Sequence, residues 1–509
     1  MEYLTTGADL VSVADAIRSR GGTSAPLAYP SGFVSAIAAI PAGGGSEPTE
    51  VKDVNFIDYD GTLLHSYTTA EAQALANLPP NPAHAGLTAQ GWNWTLAQIR
   101  TQLTAMPGMP VWIGQLYVTA SGKTEIGIEL DDPAYLSPYL GVPVNGTVRV
   151  DWGDGSTEDM LTGTGSSTIR YKQHAYANTG KYTIQLTVSS GTMYFRSDSS
   201  NYPAILRVGS SGYRRYPRVY AYCIKSIRIG NNVSVIDNGL CACSSLESLT
   251  VPADAVISGN NIFQYDYALK SVTLPPGTTV LGNSLFFNNY ALESVSLPPN
   301  VTEMKASAFS NCYGLKHVTV PSGATTFGNS VFHYCFSLES LTVPQGTTAV
   351  SDNLIDYCAA MKRITLPSTV TSIGTNAFSN DYSLRSISVR PGVVSFGNSA
   401  FYSCYNLTEV LIPSTVTSLG EQVFYACHSL RTLTVPSGVT SIGKSCFYNC
   451  YGMLEYHFQS TTPPALGATA FNGIVADTVI YVPAGSLAAY QTAPNWSTYA
   501  AYMQEEPAA

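Results

Sequence analysis

At 509 residues the chain is too long for one core, so several domains are expected. Charged residues are only 12% of it and the net charge is −9, which excludes the basic footprint that nucleic-acid binding needs. No apolar run reaches about 18 residues, so no membrane-spanning helix is expected.

The first residues, Met1 to Thr6, have neither a basic nor an apolar run, so no secretory signal is expected there. Residues 1–42 read as a helical attachment segment. Asp9 can cap a first helix with the stripe Leu10, Val13, Ala14 and Ile17, and Phe33, Ile37 and Ile40 mark a second. About 40 residues cannot bury a stable core alone, so docking on a partner or self-association is expected. Residues 43–50 are a Gly-rich linker.

Residues 51–112 read as a small mixed α/β module. Val54, Phe56 and Ile57 suggest a strand, Asp60-Gly61 a hairpin turn, and Thr68 or Thr69 a helix cap. A second helix is expected over Trp94 to Leu103, closed by Pro107-Gly108. His65 and His84 have no nucleophile or carboxylate at a motif spacing and read as structural. Residues 113–200 read as a β-sandwich, with a tight turn at Asp154-Gly155 and Tyr182, Ile184, Leu186 and Val188 alternating inward. Asp151 and Asp154 carry calcium-type oxygens, but turn chemistry accounts for both without metal. Residues 201–222 form a Tyr/Arg-rich connector, expected to pack on the first rung of a repeat region.

From residue 223 a 23-residue pattern repeats, starting at Leu246, Leu269, Leu292, Leu315, Leu338, Met361, Leu384, Leu407, Leu430 and Met453. An aromatic column (Phe263, Phe286, Phe309, Phe332) and a proline column (Pro252, Pro275, Pro298, Pro321) keep the same step, which predicts a solenoid over residues 223–495 with a tail at 496–509. Arg390 stands where proline is expected. Cys243, Cys312, Cys335, Cys358, Cys404, Cys427 and Cys450 share one column with Asp266, Asn289 and Asp381. A position that accepts Cys, Asn or Asp suits an inward side chain that bonds the turn backbone. Zinc would need ligands paired at short spacing, so no metal is expected.

Strand alternation turns Leu315, Val318 and Val320 inward and Thr319 toward the concave face. The Thr319 column is nearly all hydroxyl (Thr250, Thr273, Ser296, Thr342, Thr365, Ser388, Thr434), broken by Leu411 and His457. Before the strand runs a ring column: Tyr267, Tyr290, Tyr313, Phe336, Tyr382, Tyr405, His428 and Tyr451. Its large amphipathic rings suit a recognition surface. They equally suit mutual stacking that shields the rung edges. Beside it Glu247, Lys270, Glu293, Lys316, Glu339, Lys362, Arg385 and Arg431 mostly alternate in sign and suit cross-rung pairs.

Three stretches carry resemblances. Units such as Phe309 to Pro321, with the closing Tyr481 to Tyr490, resemble the BspA-type leucine-rich repeat, which occurs in bacterial surface adhesins. Val148 to Ser156, with His174 to Tyr176 and Gly180 to Val188, resembles the polycystic-kidney-disease-type β-sandwich, usually a spacer or a carbohydrate-associated module. Asp9 to Thr23, Phe33 to Ile37, Asn55 to Thr62 and Gly86 to Trp94 resemble the start of phage tail proteins.

The expected fold is therefore mostly β: a leucine-rich-repeat solenoid preceded by a β-sandwich and a small α/β region. No nucleophile elbow, H-E-x-x-H motif or phosphate-binding loop occurs, so no enzyme and no cofactor are expected. The expected function is a phage tail-fibre or tail-tip receptor-binding protein, carried on the virion tail. Its partners would be a host-surface glycan or protein at the ring column and other tail or baseplate proteins at residues 1–42. It would insert in no membrane, and fibres are often trimers. The alternative is a BspA-like adhesin on a bacterial cell surface.

Overall fold

The computed structural model describes residues 52–509 except 134–135, 197–204, 208–222, 238–239 and 508–509. The chain divides into two units, residues 1–51 and 52–509, and the second is described here by itself. The helices and linker expected in the first, and most of the 201–222 connector, lie outside the described residues.

The module begins with β1 (Val54–Ile57), turns at Gly61 with φ +89°, and returns as β2 (Leu63–Tyr67). Its first helix, α1 (Thr69–Ala74), starts from a Thr68–Glu71 capping box. β3 (Leu87–Trp92) leads to α2 (Leu96–Ala105). The second helix begins two residues later than the sequence suggests, because Thr95 forms a capping box with Gln98 and so leaves Trp94 outside it. β4 (Val111–Thr119) completes the sheet, in the order β2-β1-β4-β3.

Next come β5 (Thr124–Leu130), β6 (Tyr139–Asp151), β7 (Asp159–Gln173), β8 (Gly180–Phe195) and β9 (Leu206–Arg207). This layer is continuous with the repeats. β5 pairs with β10 (Ile224–Arg228), which pairs in parallel with Ser248–Thr250 of the first full rung. β8 pairs in parallel with β11 (Val233–Ile236), which pairs with Val256–Ile257. Both sheets of the solenoid thus grow out of this layer, and one hydrophobic core runs from Ile126 to Met503. The region caps the solenoid edge that would otherwise expose unpaired strand groups. The W-G-D-G turn is tied internally: Trp152 is buried, its ring stacks on His174 at 4.7 Å, and Tyr176 Oη donates to the Trp152 carbonyl at 2.9 Å. Asp151 and Asp154 accept turn N–H groups from Gly153 and Ser156 at 2.9 and 3.1 Å.

Each rung contributes one strand to a first sheet and one to a second, as with Arg363–Thr365 and Ser372–Ile373, which pair in parallel with the preceding rung at a 23-residue offset; at the last rungs the offset is 24, as in Ser441–Ala465. Between strands the chain turns through two left-handed positions per rung, such as Asn376 (φ 52°) and Asn380 (φ 58°). Asn and Ser recur at these corners because short polar side chains tolerate that conformation at little cost. At Gly443 a Cβ would lie 2.4 Å from the Gly420 carbonyl carbon, so this rung closes on glycine, although Lys305 and Ser351 take the same column in other rungs. The turn at Arg390 forms without proline, closed by the Val393 N–H to the Arg390 carbonyl at 3.5 Å.

The inward polar column bonds the backbone, in keeping with its composition. The thiols of Cys312, Cys335, Cys358, Cys404, Cys427 and Cys450 donate to the carbonyls of Phe286, Phe309, Phe332, Phe378, Phe401 and Phe424. Asp266 and Asp381 instead accept the N–H groups of Cys243 and Cys358 at 2.8 and 2.9 Å. Burial holds both carboxyls well above the usual aspartate range. Residues 496–505, expected as a tail, belong to the closing layer: Trp496 is fully buried against Phe458 and Phe471, and Met503–Glu505 pairs in parallel with Val479–Val482.

Candidate recognition surface

The outer face of the first sheet carries the hydroxyl column, and the module lies on half of it. β4 runs along this column: the Thr319 hydroxyl accepts the Trp112 N–H at 2.7 Å and donates to the Pro110 carbonyl at 3.3 Å. The Ser296 hydroxyl donates to the Trp112 carbonyl at 2.8 Å. At the next rung Gly114 sits so close that a Cβ would lie 2.0 Å from Thr273 Oγ1. Flanking side chains bond rung carbonyls. Asn93 Nδ2 donates to Leu274 and Ser296, Trp94 Nε1 to Leu297, and Gln102 Nε2 to Val320, at 2.8–3.2 Å. The Trp112 ring stacks on His317 at 4.5 Å. Thr250, Thr273, Ser296 and Thr319 are consequently buried, although strand alternation alone placed this column on an open face.

The same column then emerges. Thr342 is half-buried beside Met109, whereas Thr365, Ser388 and Thr434 are exposed, and Leu411 is 61% exposed.

The ring column forms two stacks. Tyr267, Tyr290, Tyr313 and Phe336 follow one another at 4.9, 4.7 and 4.9 Å, and Tyr382, Tyr405, His428 and Tyr451 at 5.0, 4.8 and 5.3 Å. Ala359 occupies the column between them. Stacking engages most ring faces, so a partner meets ring edges and polar tips. The first stack is half-buried, while in the second Tyr405 is 36% and Tyr451 51% exposed and His428 is exposed. Although the side chain is exposed, desolvation beside its stacked neighbours Tyr405 and Tyr451 lowers the His428 pKa from its ordinary value, favouring the neutral ring. A second ladder, not anticipated from the sequence, stacks Tyr402, Tyr425 and Tyr448 at 4.6 and 4.9 Å. Its signal was the same 23-residue step. The charged column forms cross-rung pairs at Glu293–Lys316 and Glu339–Lys362, both 2.9 Å.

One polar cluster lies elsewhere. His84 Nε2 is 2.6 Å from the buried carboxylate of Asp58, and the Tyr59 and Tyr117 rings pack against His84. The hairpin supplies this carboxylate from 26 residues away, a distance that hid it in the sequence. Among the described residues no group of three or more His, Cys, Asp or Glu side chains could hold a metal ion.

Residues 217–339 and 325–454 match the family model of the BspA type Leucine rich repeat region, in six copies. No curated protein sequence matches the chain. Among solved structures, a leucine-rich repeat protein from Bacteroides ovatus is 18% identical, with 56% of this chain and 95% of that chain covered and a TM-score of 0.26. The pneumococcal vaccine antigen PcpA is 15% identical, with 63% and 92% covered and a TM-score of 0.41. A leucine rich cell surface protein from Faecalibacterium prausnitzii is 19% identical, with 63% and 92% covered and a TM-score of 0.26.

Proposed function

We propose that this chain is a surface recognition protein of the BspA-like adhesin type, acting by binding rather than by catalysis and holding a protein or glycan partner on the second half of its solenoid. One observation carries the reading. The hydroxyl face is buried by the chain's own module up to Thr319 and open from Thr365 onward, beside the exposed rings of Tyr405, His428 and Tyr451. Exposed aromatic and apolar side chains grouped on a rigid repeat scaffold are the usual make-up of an interface core. The BspA-type match supports a place on a bacterial cell surface.

A virion-tail receptor-binding role is the second reading. It is favoured by the resemblance of Asn55 to Thr62 and Gly86 to Trp94 to phage tail proteins. In that reading residues 1–42 join other tail or baseplate proteins, within a trimer. Immunogold labelling separates the two: label on the bacterial envelope supports the adhesin, and label on phage particles replaces it.

For the recognition role itself, labelled full-length chain is applied to a panel of bacterial and epithelial cells beside Tyr405→Ala/Tyr451→Ala. The expected result is retention of wild type on at least one cell type and at least tenfold weaker retention of the variant at a temperature where both remain folded. Equal retention of both would remove the rings from the site.

A further inference from the structure

The contact between β4 and the hydroxyl column shows how this face binds a polypeptide. Three successive rungs engage it through Thr319, Ser296 and Thr273, and they meet Pro110 to Trp112, Trp112 and Gly114 in turn. The bound strand advances two residues per rung. Two residues of strand rise about 6.7 Å and stacked rungs lie about 4.8 Å apart, so the strand crosses the rungs at roughly 45°. The hydroxyls bond backbone groups, a mode that is indifferent to the sequence of the bound segment.

The column does not stop where the module stops. β4 is preceded by Gly108, with φ +74°, and past Met109 the track continues at Thr365, Ser388 and Thr434 with nothing upon it among the described residues. Its borders are charged. Arg363, Arg385 and Arg431 are exposed and make no ion pair among the described residues. Between the last two, the rung of Leu411 carries Thr408 at their position and Glu409 at that of Arg363.

We propose that the open rungs form a docking track for an extended polypeptide segment of a partner protein, continuing the internal interface. At two residues per rung, the four rungs from Thr365 to Thr434 take about seven residues. The hydroxyls of Thr365, Ser388 and Thr434 bond the partner's backbone as Thr319 and Ser296 bond β4. The arginines select acidic side chains toward either end, and Leu411 beside Glu409 selects an apolar, uncharged centre. The proposal rests on the reading of the solenoid as a recognition surface and names the chemistry of its partner.

The test selects from a displayed library of linear 12-residue peptides on the full-length chain. The best sequence is then measured as a synthetic fluorescent peptide. The expected result is convergent sequences with acidic ends and an apolar centre. Their affinity should fall at least tenfold in Thr365→Val/Ser388→Ala/Thr434→Val and in Arg385→Ala/Arg431→Ala, the second pair serving if the first variant misfolds. Failure to enrich a convergent set overturns the proposal, as does a peptide affinity in both variants equal to that of the wild type. Hyaluronan binding that is lost in the same variants, with no peptide enriched, replaces the peptide with an acidic glycan. Cell retention that survives in the hydroxyl variant and fails in Tyr405→Ala/Tyr451→Ala removes the track and leaves the recognition reading intact. Wild-type chain retained on no cell while still selecting peptides removes that reading instead.

Discussion

The first and second halves of the solenoid are built on one repeat, yet the same column has opposite fates in them. Thr319 is 3% exposed beneath β4, while Thr365, two rungs on, faces solvent. Intrinsic preference cannot distinguish them, because Thr and Ser suit a pleated strand wherever they stand. What differs is the neighbour, so a repeated residue acquires a role only from what covers it.

The comparison breaks most visibly if the module is pried off. Trp94 is almost fully buried and donates to the Leu297 carbonyl. Trp94→Ala should cost about 3–5 kcal/mol, the usual range for a buried tryptophan. Radical footprinting should then find Trp112, now half-buried, more reactive; unchanged reactivity would mean that the docking does not depend on this anchor.

A smaller effect concerns the inner column. Folding raises the pKa of Asp381 through burial, so stability is fullest below the ordinary aspartate value near 4 and declines as the pH rises toward the folded-state value. Asp381→Cys, the column's majority residue, removes that loss. It should raise stability at pH 7 by about 1–3 kcal/mol and by much less at pH 4. Melting curves at the two pH values would refute this if the difference were the same at both.

Comparable in size is the ladder. Tyr405→Ala deletes stacking contacts with Tyr382 and His428, worth about 0.5–1.5 kcal/mol each. A loss of unfolding free energy well beyond about 3 kcal/mol, the two contacts together, would make the second stack a structural girder. The least effect belongs to the cross-rung ion pairs. Lys316→Met should change stability by less than about 1 kcal/mol, because surface pairs gain little in water.

The repeat, its inward Leu and Phe columns, the backbone-bonding Cys column and a helix cap at Thr68 or Thr69 were legible because each depends on residues a fixed, short step apart. The docking of the module was not. Asn93, Trp94 and Gln102 reach carbonyls 181 to 218 residues away, and no local pattern encodes such a pairing. The continuity between β5, β10 and the first rung was hidden for the same reason. Leu411 was visible as a break in the hydroxyl column, but its exposure depends on where the module ends. The ring column was legible as a column; only the structure separates a half-buried stack from an exposed one.

The most direct test of the account is hydroxyl-radical footprinting of full-length chain, free and retained on the cells that hold it best. The account predicts that oxidation of Tyr405, Leu411, His428 and Tyr451 falls on binding, while Trp94 stays unreactive in both states. Unchanged oxidation of those four side chains, with protection appearing on the module instead, would contradict it.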